Sequence, residues 1–290
     1  MCIVIGCDAD QFNDGKNGDS NVILTSSLKV MGMNDKAEAL AKLIDQKLWS
    51  DSLQFYGTMT ANDSIARVRE LIGYLPWYFN LPADDSAKYR AAWMQLLDEK
   101  GFDAPAGMTT AERRHPLFRK SWKGRPTCEW DGAIWPFATS QTLTALINIE
   151  RNYPNLRAAL PDDLFWHHFK KYTESMHFHG RPYVGEYMDE VTGFWLWGEH
   201  ERSRYYNHST YNDLVITGLC GFDPSAKAIG DDEIPSANDL KPLAPASWDW
   251  WCLDGIAYRG HILTILFDRY GDHYHQGKGL RVITRDPSRP

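Results

Sequence analysis

Glu186 stands in the segment Gly185-Glu-Tyr-Met-Asp-Glu-Val-Thr-Gly193, with Tyr183 and Tyr187 beside it and Trp195 and Trp197 after it. A carboxylate walled by aromatic rings is stripped of hydration, which suits it to moving protons. The neighbouring Asp189 and Glu190 read as the solvated face of an acidic turn. A second segment, Cys128-Glu-Trp-Asp-Gly-Ala-Ile-Trp-Pro-Phe-Ala138, sets Asp131 between Trp130 and Trp135. Aromatic faces stack on the C–H faces of sugars while carboxylates take the hydroxyls, so this pattern points to carbohydrate binding.

Two further segments carry the same residue types. Arg202-Ser-Arg-Tyr-Tyr-Asn-His-Ser-Thr-Tyr-Asn-Asp213 is dense in donors, and His208 either orients a hydroxyl or caps a helix. Ser247-Trp-Asp-Trp-Trp251 again joins Trp to Asp, which adds Trp248, Asp249 and Trp250 to the candidate sugar contacts. His167, His168, His177 and His179 raise the question of a metal. No Cys or acidic residue stands at ligand spacing from them, so they read as surface and core histidines. No metal and no cofactor is expected. Phosphate loops, dinucleotide fingerprints and nucleophile elbows are absent from the sequence.

Helices must position these segments. Hydrophobic periodicity predicts them over Asp35–Trp49 (with Asp35 as cap), Ser86–Asp98, from Thr139 or Ser140 through Glu150, from Asp162 to Met176, from Ser209 to Gly221, and over Cys252–Tyr270. Shorter candidates lie at Val22–Met31 and Ile65–Leu71. One strand is expected, Leu280–Thr284. The pattern is all-α with a short β-strand tail at the C-terminus, in one domain over residues 1–290. Residues 221–247 read as a long loop, and the first twenty residues show no helical period.

Composition narrows the class. The chain has 12 Trp, 14 Tyr and 12 Phe, a number that suits sugar binding and large cores equally. A net charge of -7 with scattered Lys and Arg argues against nucleic acid. Five Cys without a CxxC pair read as reduced, buried thiols. The run from Met1 to Asp8 is too short and lacks the basic residues of a signal peptide, and no stretch could span a membrane. As written, the chain is expected to be soluble and cytoplasmic, although a larger parent protein could be exported.

Together these segments resemble the six-hairpin glycosidase superfamily, in its mannosylglycerate hydrolase-like and processing α-glucosidase-like branch, with trehalase more distant. The resemblance rests on Ala39-Leu-Ala-Lys-Leu-Ile-Asp-Gln-Lys-Leu-Trp49, Ile72-Gly-Tyr-Leu-Pro-Trp-Tyr-Phe-Asn80, Thr109-Thr-Ala-Glu-Arg-Arg-His115, Glu129-Trp-Asp-Gly-Ala-Ile-Trp-Pro136 and Tyr206-Asn-His-Ser-Thr210, in that order. It implies an (α/α)6 toroid of twelve helices and hydrolysis with inversion. It implies a Glu base in a Glu-x-x-(Asn or Asp) turn followed by Thr-Gly, here Glu186 to Asp189 with Thr192 and Gly193. It implies an Asp acid in a loop before an early helix, here Asp14 or Asp19, with Asp14 favoured by the Gly after it. The chain holds roughly eight helices, so the toroid is expected to be incomplete at the N-terminus. The expected partner is a carbohydrate substrate, with the missing part of the barrel or a second copy as protein partner. A catalytically inactive sugar-binding fragment, one piece of a split glycosidase, is the alternative. A toroidal epimerase or lyase is the third reading.

Overall fold

The computed structural model describes residues 25, 27–29, 31–60, 62–120, 129–206, 208–225 and 234–285. They fall into two compact units that meet in sequence at His208 and Ser209.

The first unit is helical, with pairs of two-residue strands between helices. Helix α1 spans Asn34–Leu48, as periodicity predicts, and buries Ala37, Ile44 and Leu48. Leu43 is exposed. Met33 occupies the cap position, and Asp35 lies in the first turn, where its charge complements the helix dipole. Strands β1 (Trp49–Ser50) and β2 (Phe55–Tyr56) follow as an antiparallel pair. The expected helix at Ile65–Leu71 does not form. Instead Ile65 bridges to Met59 and Glu70 to Ala111, and the Arg69 backbone and guanidinium are both held by Glu112. Helical backbone begins only at Leu71, in a 3₁₀ turn that leads into α2, Leu75–Tyr78.

Helix α3, Ser86–Met94, is capped by Asp85, which accepts from the Lys88 N–H, and a 3₁₀ turn extends it to Leu97. Strands β3 (Asp103–Ala104) and β4 (Gly107–Met108) form a tight hairpin. Helix α4, Pro136–Asn152, begins three residues before the expected start because Pro136 fits its first turn. It buries Leu143, Leu146 and Ile147. Asn148 on α4 donates to the carbonyls of Trp77 and Tyr78, tying α2 to α4. Helix α5 is Pro154–Ala158 and helix α6 is Leu164–Glu174, whose inner face is Phe165, His168, Phe169 and Tyr172. Strands β5 (His177–Phe178) and β6 (Arg181–Pro182) close the set.

Many aromatics are core. Tyr74 packs on Trp93 at 4.5 Å between ring centres, and Trp93 on Trp77 at 5.3 Å. Such pairs add about 1 kcal/mol each beyond burial.

The second unit starts within α7, His208–Asp213, which passes into a π-helical run, Leu214–Leu219. Its sheet corrects the expected helix over Cys252–Tyr270. That segment is a hairpin of β7 (Trp250–Tyr258) and β8 (His261–Asp268), and β9 (Gly279–Arg285) adds to β8. Arg259 and Gly260 both have positive φ, which makes the two-residue turn whose twist matches the strands. The β tail is thus three strands, of which Leu280–Thr284 is the expected one. Leu263 and Ile265, with Trp251, Phe222, Leu240 and Cys220, form its core. Cys220 is a free buried thiol as expected, whereas Cys252 is free and exposed. Cys2, Cys7 and Cys128 lie outside the described residues. No helix among the described residues is long and apolar enough to cross a membrane.

Candidate active site

Two segments far apart in sequence meet through one backbone pair. Ile134 and Met188 exchange both N–H···O bonds, each 3.0 Å. The pair lays Glu129–Trp135 beside Glu186–Trp195. Glu186 is held from both ends. Its backbone N–H donates to Ser203 Oγ at 3.1 Å, and Ser203 is fully buried. Its carboxylate, only 8% exposed, faces Arg202 Nη2 at 3.3 and 3.5 Å. Arg202 lies over the Trp197 ring at 5.5 Å. Gly185 permits the approach, because a Cβ there would fall 2.6 Å from the Trp195 ring.

The aromatic wall is a stack of three. Trp130 lies on Trp135 at 4.1 Å and 18°, and Trp135 on Tyr187 at 5.0 Å and 15°. Trp135, 1% exposed, has both faces covered and so supports the stack, while Trp130 at its end is partly exposed. Tyr206 meets Trp135 edge-on at 6.4 Å. Burial, and after it the Glu186 carboxylate, pushes the Tyr187 phenol up to about 12. The same two causes raise Tyr206.

Behind the stack sits Arg119, a residue that no sequence motif singles out. Its guanidinium pairs with Glu129, lies 3.1 Å from Glu190 Oε2 and 3.7 Å from Asp189 Oδ2. Its backbone N–H donates to the Asp131 carbonyl. One cation therefore joins the Trp130 loop to the Glu186 turn. Glu190, expected to be solvated, is buried by this contact. Asp189 accepts from the Val191 and Thr192 N–H groups and the Thr192 hydroxyl. Burial opposes its ionisation, but these bonds and Arg119 together hold its carboxyl below the usual range. Thr192 and Gly193 thus have a turn-forming role.

The structure gathers Glu186, Trp130, Asp131, Trp135 and Tyr187 in one place. His208 opens α7 in the backbone. Trp248, Asp249 and Trp250 belong to the second unit. There Asp249 pairs with Arg269 at 2.9 Å, Trp248 packs against the sheet core, and Trp250, 51% exposed, stacks on His273 at 4.0 Å. Asp14 and Asp19 lie outside the described residues. Arg202 is visible in sequence only as one donor in a polar segment; Arg119 carries no signal at all.

The model of the mannosylglycerate hydrolase MGH1-like glycoside hydrolase domain matches residues 25–209. The chain belongs to this family. Every residue of the Glu186 site named above lies within the matched span, and the Trp248–Trp250 segment lies beyond it. The resemblance drawn from the five motifs is therefore correct at family level. Among solved structures, one titled "Sialidase" is 48% identical over 92% of this chain, with a TM-score of 0.80. The chain spans a quarter of that protein, 25% of its length. Two structures from Thermus thermophilus are also similar. One is an uncharacterized conserved protein, 18% identical over 61% of this chain and 42% of that one, with a TM-score of 0.42. The other is a GH63 mannosylglycerate hydrolase in complex with Tris, 18% identical over 61% of this chain and 41% of that one, with a TM-score of 0.41. No curated protein matches.

Proposed function

We propose that this chain is part of an inverting glycoside hydrolase, an (α/α)6 toroid to which it contributes a catalytic-domain portion over residues 1–290. Glu186 is the general base. It takes a proton from a water molecule as that water attacks the anomeric carbon. Asp14 is the general acid that protonates the departing oxygen, with Asp19 as the other choice. Inversion calls for about 6.5–9.5 Å between the two carboxyls, the space of one water. Trp130 and Asp131 bind the sugar, with Trp135 and Tyr187 backing the platform and His208 orienting a hydroxyl. Trp248, Asp249 and Trp250 are further sugar contacts of the second unit. The substrate is a carbohydrate.

The observation that carries this reading is a buried carboxylate, backed by an arginine, beside an aromatic stack in a chain of a glycoside hydrolase family. Glu186→Gln keeps the shape and removes the base. On a panel of glycosides it should lower turnover by roughly 10²–10⁴-fold with the circular dichroism spectrum unchanged. An unchanged rate would refute the assignment. For any substrate turned over, the anomer first seen by NMR should be opposite to that of the substrate.

A further inference from the structure

Helix α6 brings a second chemical cluster together, on the side of the β3–β4 hairpin. One donor atom each of Asp103, His167 and His168 lies within 4.8 Å of the others. His168 is 1% exposed, and its Nε2–H donates to the Leu96 carbonyl at 2.7 Å. That bond fixes the tautomer and leaves Nδ1 with a lone pair, buried and without a partner among the described residues. A ring held by one N–H on a backbone carbonyl, with the other nitrogen open, is how proteins orient a metal-binding imidazole. His167 Nε2 lies 3.1 Å from Asp103 Oδ2, close to the roughly 3.3 Å edge of a tetrahedron built on 2.0–2.1 Å bonds. Lys171 Nζ occupies the other carboxylate oxygen, Oδ1, at 2.6 Å, and also donates to the Ala104 carbonyl. It leaves Oδ2 to a different cation.

We propose that Asp103 Oδ2, His167 Nε2 and His168 Nδ1 bind a divalent ion of the zinc class, with water as fourth ligand. Two imidazoles and one carboxylate suit such an ion better than calcium or magnesium, which prefer oxygen alone. On binding, the His167 ring proton moves from Nε2 to Nδ1 and the Asp103–His167 hydrogen bond gives way to two metal bonds. From a spread of up to 4.8 Å, the donor atoms close by up to about 1.5 Å to reach the tetrahedral edge. The ion clamps α6 to the hairpin. The hairpin in turn supports the Glu186 turn, since the Ala106 N–H donates to the Glu190 carbonyl at 3.1 Å. The site is legible only in three dimensions, because Asp103 lies 64 residues before His167.

Chelator-treated protein titrated with Zn²⁺ by calorimetry, and with Co²⁺ by visible absorption, tests the proposal. One equivalent should bind, Co²⁺ should give the intense bands of a four-coordinate site, and Zn²⁺ should raise the melting temperature. His167→Ala, at a one-third exposed residue that the fold tolerates, should weaken binding at least about tenfold. Lys171→Met should tighten it, because a competing ammonium is gone. Absence of saturable binding, binding indifferent to His167→Ala, or binding unimproved by Lys171→Met would each overturn it.

Discussion

The chain uses Trp beside Asp twice, with opposite results. In Glu129-Trp-Asp131 the carboxylates are buried, Arg119 is the counterion of Glu129, and Trp130 and Trp135 stack. In Trp248-Asp-Trp250 the acid is half exposed on Arg269, and Trp250 offers an open face beside His273. The element on the C-terminal side of each segment decides the difference. Pro136 starts a long helix that pins the first segment from behind, whereas the second runs into an edge strand of a three-stranded sheet. The same Trp-Asp pattern is thus a buried constellation in one unit and a surface feature in the other.

Paired substitutions sharpen that contrast. Arg119→Met leaves Glu129, whose side chain is 0% exposed, without its counterion and should cost about 3–5 kcal/mol in urea unfolding. The same exchange at Arg269 should cost no more than about 1 kcal/mol. Trp135→Ala should cost about 3–5 kcal/mol, whereas Trp250→Ala should stay within about 0.5 kcal/mol while raising KM if that face binds sugar. Equal costs at the two sites would break the comparison.

A smaller effect is read by pH. The Tyr187 phenol ionises near 12 in the folded chain against 10 when unfolded, so the unfolded state loses its proton first. Its contribution is complete below pH 10 and is lost as the pH rises through 12. Tyr187→Phe should therefore reduce the loss of stability between pH 10 and 12 without altering the curve near neutrality.

The sequence exposes features whose cause is local. The α1 stripe, the Ser86 start of α3 and the final strand are short-range patterns that periodicity resolves. The segment Ile262–Phe267 is not, because a short apolar run reads as buried helix or strand alike. The Arg259-Gly260 turn was the available clue. In the site, Glu186 and the Trp-rich loop announce themselves by residue type. Arg119 and Asp103 do not, since each acquires its role from groups that the fold brings from elsewhere. Ion-pair partners at long separation leave no spacing to read.

The Ile134–Met188 pair has a kinetic side. It closes a loop of 54 residues, and closing one of that length costs about 3.5 kcal/mol of chain entropy before any contact rewards it. Helices α4 and α6, both inside the loop, can form first from local contacts. The Glu186 cluster is then a late product of folding and an early casualty of partial opening. In native-state hydrogen exchange the Ile134 and Met188 amides should open together, at a lower free energy than the amides in the middle of α4.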